Sequence, residues 1–465
     1  MRRKAGLALG ACAALVLAGA TGAAAWNVGG TERVGTWHDG PGVARTPVAA
    51  EQMQPADAAD PAAPPAAQQK PQSPRSAPSA AAEPGETRRP GIPESATATN
   101  DGRQRVGELL RVDRLLGYLG KGPRREVFTY PGASYVKLHF NRMAMLPGDY
   151  LTVSNPDGTE SYRYDAPAVL ETGAADKWAM SVTGDTAVLE MHRAAGVPVL
   201  DNLLGTLGVD VDRVARGFSR TEQARQPEGQ LTPPQQQRTG REESVCGADT
   251  SADAVCYRSA DPVAYTKSKA IARLLINGTE LCTGWRVGPN NRMLTNNHCF
   301  TNSSEAYDTE VWFNYQCASC GGYDVFQPTK VWGAKVLSTD HTYDYTLFTV
   351  DNFNAVRKFG YLQLDTARPA RNQELYVPQH PAGEPTRIAG SLGERAGNCS
   401  VADPNYTGYA ANSDVAYYCD TEGGSSGSPV LSRATNKVVA LHHFGGCPNS
   451  GVRGDLLAAK LRSYL

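Results

Sequence analysis

The cysteines constrain this chain more than any other feature, because nearly all of them lie in its C-terminal half. Of the ten cysteines, one is at position 12 and the other nine lie beyond residue 245. Such clustering is typical of disulfide-linked domains in exported proteins. An odd count leaves one thiol, or one intermolecular bridge. The CxxC pair Cys317 and Cys320 lacks a second CxxC or a spaced histidine pair, so we expect no metal and no cofactor.

The first 25 residues predict export. Three basic residues precede an apolar stretch from Ala5 to about Ala20, and the small residues at 23–25 offer a cleavage site. We therefore expect a signal peptide over 1–25 and a secreted, extracellular protein. The apolar stretch is short for a membrane anchor, so we expect no stable membrane association. The net charge of −1 gives no reason to expect a nucleic acid as partner.

Composition divides the remaining chain into alternating polar and strand-rich parts. Residues 26–102 are rich in Ala, Pro and Gln and lack periodic apolar positions, which predicts a disordered spacer. Residues 103–219 alternate apolar and polar positions between Pro-Gly and Asn-Pro-Asp-Gly turns, which predicts a small antiparallel, sandwich-like β-domain. Residues 220–244 form a second polar linker of the kind in which proteolysis concentrates.

The last part of the chain, residues 245–465, contains the cysteine cluster and ten short strand-like runs between turn signals. Its final stretch, GDLLAAKLRSYL, has a helical pattern instead. Many short strands over about 220 residues are typical of an all-β domain of two barrels. We therefore predict an all-β double barrel that ends in a C-terminal helix.

Three stretches supply the groups that nucleophilic catalysis needs. A hydroxyl nucleophile requires a base within hydrogen-bond reach, and the base requires an acid to orient it. RMLTNNHCF ends an apolar run at His298, STDHTYDYTLFTV opens a strand after Asp344, and GGSSGSPV offers Ser426. The neighbouring Ser425 and Ser428 are alternative nucleophiles.

These motifs resemble those of the bacterial trypsin-like, chymotrypsin-fold serine endopeptidases, particularly the lysyl-endopeptidase and glutamyl-endopeptidase branches. The segment 424–429 matches the Gly-x-Ser-Gly-Gly/Ser-Pro motif, and the segment 295–299 matches Thr-Ala-x-His-Cys at its Thr, His and Cys. Asp344 also opens a strand of the family's type. The resemblance implies a triad of His298, Asp344 and Ser426, with Ser426 in register with the family's nucleophile.

The same resemblance assigns roles to the glycine-rich turn and to the cysteines. The glycines let the N–H groups of Gly424 and Ser426 point at one oxygen, as an oxyanion hole requires. The implied disulfides are Cys282–Cys299, Cys246–Cys447 and Cys399–Cys419, and Cys256 would pair with Cys317 or Cys320.

Substrate preference depends on three residues near the active-site turn. Asp420 falls where trypsin keeps the pocket-floor aspartate that pairs with Lys or Arg, which favours cleavage after a basic residue. Thr421 and His443 instead resemble the polar pair with which glutamyl-specific relatives receive a carboxylate. A Glu-specific endopeptidase of the same fold is therefore the alternative.

Activation is predicted to differ from that of trypsin. The residue before the nucleophile is Ser425 and not the aspartate that binds a freed N-terminus, so that ion-pair switch is absent. The bacterial relatives carry a long N-terminal pro-region, and the part of this chain before about residue 241 resembles one in position. We expect processing within 220–244, after Arg238 or Arg241.

Two other functions are open on the sequence alone. One is a catalytically silent secreted binding protein with the β-domain at 103–219 as its recognition module. The other is a protease whose β-domain stays attached and binds polysaccharide or substrate. For the protease we expect a monomer that acts on protein or peptide substrates.

Overall fold

The computed structural model describes residues 34–38, 103–118, 124–166, 174–194, 207–223, 245–246, 249–390 and 399–465, with the backbone alone for 34–38. The predicted signal peptide, most of the predicted spacer and most of the second linker lie outside the described residues. Within the described ranges, no helix has the length and hydropathy that crossing a membrane would need.

The N-terminal part of the described chain consists of short antiparallel strands. They are β1 (Val34–His38), β2 (Gln104–Arg105), β3 (Gly107–Gly117), β4 (Arg125–Thr129), β5 (Tyr135–Ala144), β6 (Tyr150–Ser154), β7 (Ser161–Asp165), β8 (Ala174–Trp178), β9 (Val182–Thr183), β10 (Thr186–His192) and β11 (Gly208–Gly217). A short helix, α1 (Arg220–Gln223), follows them within the predicted second linker.

Strands β3 to β11 form two sheets that share one core, and we call this part the β-domain. One sheet has the order β4-β10-β6-β7, and the other has β3-β11-β5-β8 with β9 beside β5. Alternate residues of β6, Leu151 and Val153, are buried. They pack in the same apolar cluster as Leu138 and Phe140 of the other sheet. Along β6 the period-two pattern therefore buries one face, whereas β5 is buried on both faces from Tyr135 to Phe140.

The described residues of the C-terminal part form fifteen further strands and five α-helices. The strands are β12 (Ala252–Asp253), β13 (Ile271–Ile276), β14 (Glu280–Arg286), β15 (Met293–Thr295), β16 (Glu310–Phe313), β17 (Asp324–Phe326), β18 (Thr329–Asp340), β19 (Tyr345–Val350), β20 (Leu375–Gln379), β21 (Arg387–Ala389), β22 (Val401–Tyr406), β23 (Asp414–Tyr417), β24 (Pro429–Ser432), β25 (Val438–Phe444) and β26 (Asn449–Arg453). The helices are α2 (Tyr257–Ala260), α3 (Pro262–Ser268), α4 (Ser303–Tyr307), α5 (Phe353–Val356) and α6 (Gly454–Lys460).

The first of two barrels is closed. Its strands have the order β13-β16-β18-β19-β15-β14, and β14 pairs with β13 to complete the ring. Strand β2 joins the outer side of β14, and β1 pairs separately with β17. Closure removes the free sheet edges, except where β14 extends beyond β15.

The second barrel follows in the chain. Its strands have the order β12-β21-β20-β24-β25-β26-β23-β22. The N–H of Leu375 donates to Cys399 O at 2.8 Å, which links the start of β20 to the segment before β22. Helix α6 covers one side, where Leu457 and Leu461 pack with apolar residues of both barrels. The predicted double barrel with a C-terminal helix is confirmed.

Four disulfides lie within the described part of the double barrel. They join Cys246 to Cys447, Cys256 to Cys320, Cys282 to Cys299, and Cys399 to Cys419. The pairing of Cys256, open on the sequence, goes to Cys320, and Cys317 keeps a buried thiol. Burial is the main reason that the pKa of this thiol rises to about 12.

Candidate active site

Three strand ends bring the predicted triad together. His298 follows β15 and Asp344 precedes β19, and these strands are antiparallel neighbours with Thr295 opposite Thr346. The end of one strand and the start of the other therefore lie at the same edge of the first barrel. Ser426 lies before β24 of the second barrel, and its carbonyl accepts the N–H of Thr283 in the first barrel at 2.8 Å.

The side chains of the three residues form a continuous hydrogen-bonded chain. The Nδ1 atom of His298 lies 2.8 Å from Asp344 Oδ2, and the Nε2 atom lies 2.9 Å from Ser426 Oγ. An ionised carboxylate only accepts, so Nδ1 carries the hydrogen and Nε2 is left to accept from the serine hydroxyl. The N–H of His298 also donates to Asp344 Oδ1 at 3.0 Å. The imidazole is thereby fixed in the tautomer that can take a proton from Ser426.

The turn that contains Ser426 needs glycine at two positions. Gly424 and Gly427 have φ of +96° and +88°, where a side chain is strained. A Cβ on Gly427 would lie 2.1 Å from the carbonyl oxygen of Thr283, and one on Gly424 would lie 2.5 Å from Leu281 Cδ2. The first barrel therefore presses against the turn on both sides of Ser426. Backbone freedom and close approach explain the glycines.

The hydroxyl groups of the two alternative nucleophiles, Ser425 and Ser428, have other surroundings. Ser425 Oγ accepts the N–H of Glu422 at 3.2 Å, which closes the turn onto itself. Ser428 is buried, and its hydroxyl has no hydrogen-bond partner among the described residues. Of the three serines, the described hydrogen bonds join Ser426 to His298.

A second imidazole lies behind the triad acid. His443 Nδ1 is 3.1 Å from Asp344 Oδ2, and its Nε2 is 2.7 Å from Asp414 Oδ2. Both carboxylates accept, so both ring nitrogens donate and the ring is an imidazolium. Burial opposes the charge, but Asp414 and Asp344 outweigh burial and raise the pKa of His443 to about 9.

The same contacts keep the triad acid ionised. Burial works against the charge of Asp344, but His298 and His443 together hold its pKa well below the ordinary value. The cation of His443 also offsets the charge of Asp414. The buried group formed by Asp344, His443 and Asp414 therefore carries one net negative charge toward His298, as a lone aspartate would.

His443 does not line a substrate pocket, contrary to the prediction. Its ring is about 1% exposed and both of its nitrogens are engaged by carboxylates. It contacts the triad through Asp344 Oδ2. Asp414 is a further residue of this site that was not predicted, and it opens strand β23 in front of Val-Ala-Tyr. That pattern, a single acid before an apolar strand, is the one that singled out Asp344.

The predicted role of Asp420 also needs correction. Its Oδ1 accepts the N–H of Cys246 at 3.1 Å, and its Oδ2 accepts the N–H and hydroxyl of Thr250 at 2.8 and 2.6 Å. Both oxygens are thus committed to the start of the double barrel, whereas a pocket floor would keep them for a substrate cation. Thr421, next in the chain, is buried.

Comparisons with known proteins agree with this architecture. Residues 282–441 match the family described as trypsin-like peptidase domain. A curated relative, secreted RxLR effector protein 73 of Plasmopara viticola, is 43% identical over 231 residues. That match covers 48% of this chain and 56% of the relative, so the chain spans about half of the relative's length.

Two solved structures are similar to the double barrel. A Glu endopeptidase in complex with MPD is 20% identical, with 47% of this chain and 98% of that chain covered and a TM-score of 0.35. The Rv3671c protease of M. tuberculosis H37Rv, as a Ser-to-Ala mutant in the inactive form, is 14% identical, with 47% and 97% covered and a TM-score of 0.31. Both TM-scores are low, so the fold rests on the two barrels and the family match. Together these define a chymotrypsin-like fold in which residues 282–441 match the trypsin-like peptidase description.

Proposed function

We propose that this protein is a secreted serine endopeptidase that uses His298, Asp344 and Ser426. The observation that carries the proposal is the hydrogen-bonded chain from Ser426 Oγ through both nitrogens of His298 to Asp344. Only this arrangement gives the hydroxyl a base whose tautomer is fixed. The four disulfides are consistent with an oxidising, extracellular location.

The reaction follows from these contacts. Ser426 Oγ attacks the carbonyl carbon of the scissile peptide while its proton moves to His298 Nε2. The carbonyl oxygen becomes an oxyanion that the N–H groups of Gly424 and Ser426 would stabilise. Collapse breaks the C–N bond, and His298 delivers the proton to the leaving amine. Water, deprotonated by His298, then releases the acyl group and restores Ser426.

The proposed substrate preference is cleavage after Lys or Arg, with cleavage after Glu as the alternative. Cleavage after Lys or Arg relied on Asp420, whose oxygens already accept three hydrogen bonds from Cys246 and Thr250. Asp414 is likewise engaged by His443. Cleavage of a peptide library from denatured proteins separates the two candidates. Predominant cleavage after Lys or Arg supports the first preference, and cleavage after Glu supports the alternative.

Maturation would separate the β-domain from the double barrel by a cut within 220–244, after Arg238 or Arg241. Cys246 would then stay attached through its disulfide to Cys447 and through Asp420. The new end would need no ion pair of the trypsin type. Mass spectrometry of the secreted protein tests this step, since retention of the β-domain would favour an accessory binding role.

A fluorophosphonate probe tests the chemistry directly, because it reacts with activated serines. We expect the wild-type chain to be tagged and Ser426→Ala to be untagged. Ser428→Ala is the matched control, since its hydroxyl makes no described hydrogen bond and its loss should leave tagging unchanged. An untagged wild-type chain would favour the silent binding protein instead.

A further inference from the structure

The start of strand β14 is an edge that β2 fills. On one side, β14 pairs with β13 along its length. On the other side, β15 pairs with Trp285 and Arg286, and β2 pairs with Glu280 and Leu281. The backbone at 280–281 would otherwise present unpaired groups. An edge of this kind binds extended peptides by strand addition.

Side-chain contacts hold the segment 103–106 on this edge. Arg103 donates to Glu280 at 2.7 Å and to Glu305 at 2.9 Å. The N–H of Val106 donates to Thr279 O at 2.8 Å, and its side chain is buried in the same apolar cluster as Leu281. The segment is therefore docked by charge, backbone and apolar contacts together.

The docked segment lies beside the active-site turn. A Cβ on Gly423 would lie 2.0 Å from Gln104 Oε1, so this side chain fills the space next to a residue three positions before Ser426. Leu281 precedes Cys282, whose disulfide partner Cys299 follows His298. The segment thus runs on the His298 side of the serine, where the leaving amine must receive its proton.

Buried charges attach the β-domain to the first barrel at a second place. Lys137 of the β-domain pairs with Glu310 at 2.8 Å, and Lys330 of the barrel pairs with Glu160 at 2.7 Å. Ser181 Oγ also donates to Glu310 Oε2 at 2.6 Å. Because one partner left buried and unpaired would be costly, the two pairs favour one position of the β-domain.

From these contacts we infer that the edge at 280–281 binds the half of a substrate that follows the scissile bond, and that the segment 103–106 occupies it in the full-length chain. The inference rests on the proposed protease function. The β-domain then inhibits its own protease by competing with the leaving half of a protein substrate, and its removal opens the cleft. The reactive serine itself is left intact.

Two measurements on the full-length chain distinguish the reactivity of Ser426 from the access of a protein substrate to the cleft. Fluorophosphonate tagging reports the serine, and a gel of the tagged protein shows whether the reacting species is the intact chain. The initial rate of hydrolysis of fluorescein-labelled casein reports access by a protein substrate. Arg103→Glu would place a carboxylate against Glu280 and Glu305, and should raise casein hydrolysis by intact chain about tenfold. Tagging should be unchanged.

Two further variants complete the design. Arg103→Glu/Glu280→Arg restores one ion pair with reversed polarity and should return casein hydrolysis toward the wild-type rate. Arg114→Glu is the control, because Arg114 pairs with Glu126 inside the β-domain, and it should behave as wild type. Each of these variants keeps Ser426 and His298.

The possible failures are distinguishable. Normal tagging with no gain in casein hydrolysis for Arg103→Glu would overturn the inference and leave the protease function standing. A parallel rise in tagging would mean that the segment distorts the turn itself, which contradicts simple competition. Absence of tagging in every variant would remove the proposed function and the inference with it.

Discussion

Replacing Asp414 by asparagine tests the charged group behind the triad. The new amide would keep the shape of the side chain, but could not stabilise a cation at His443. The amide would donate to a neutral Nε2, while Nδ1 still donates to Asp344. His443 should therefore lose its proton at neutral pH, with little change in the position of His298.

The magnitude follows from the pKa of His443. Its folded value of about 9 exceeds the ordinary 6.5, so folding favours the protonated ring. One pKa unit corresponds to about 1.4 kcal/mol, which gives about 3 kcal/mol of stability. Because the folded pKa is raised, this stability is complete below about pH 6.5 and is lost as the pH rises through about 9.

The assay is urea unfolding, followed by tryptophan fluorescence, at several pH values between about 6 and 10, which bracket the two pKa values. Both proteins carry Ser426→Ala to prevent self-cleavage. The difference in unfolding free energy between the parent and Asp414→Asn should be about 3 kcal/mol at pH 6 and should shrink above pH 9. Other titrating groups cancel in this difference. Asp403→Asn, at a half-exposed aspartate that pairs with Arg371, should show no such trend. A difference that stayed constant with pH would refute the protonated His443.

Three further predictions concern the turn at Gly427, the thiol of Cys317 and the contact of Asp420 with the start of the double barrel. Gly427→Ala should lower the unfolding free energy by about 3 kcal/mol or more, since it adds a clash to the strain of positive φ. Gly288→Ala, with positive φ but open space, should cost only about 1 kcal/mol, and equal losses would contradict the clash. Cys317 should resist iodoacetamide at about pH 8 until the chain is denatured, as peptide mapping would show, because its pKa is about 12. Asp420→Ala should speed amide exchange at Thr250 without changing cleavage preference, and a changed preference would restore Asp420 to the pocket.

Local sequence patterns were enough to predict much of the site. An apolar strand that ends in His298, an acid that opens the next strand and a glycine-rich turn are each visible within about ten residues. The structure brings these three stretches together. The barrels were equally predictable, because short strands between turns leave few other all-β arrangements. The pairing of Cys256 was not, since Cys317 and Cys320 are close neighbours in the chain and the choice depends on where each side chain points.

The errors share one physical origin, which is competition from distant partners. Asp420 accepts a hydrogen bond from Thr250, 170 positions earlier, and His443 is hydrogen-bonded to Asp414, 29 positions earlier. Nothing next to either residue in the sequence shows that these partners exist. Each was assigned to a pocket from its resemblance to a pocket residue of the family. Such a resemblance places a residue near the turn, but only packing decides which way its polar atoms face.

The interface between the β-domain and the double barrel combines two kinds of contact. Val106 and Tyr135 pack in one apolar cluster with Leu281 and Trp312, and separation would expose part of this cluster. Two buried ion pairs, Lys137–Glu310 and Lys330–Glu160, join the same parts. Desolvation makes such pairs weak contributors to net stability, while their geometry makes them specific. The ion pairs therefore favour one docked position and the apolar cluster holds the β-domain in it, so both kinds of contact must be broken before the β-domain can leave the double barrel.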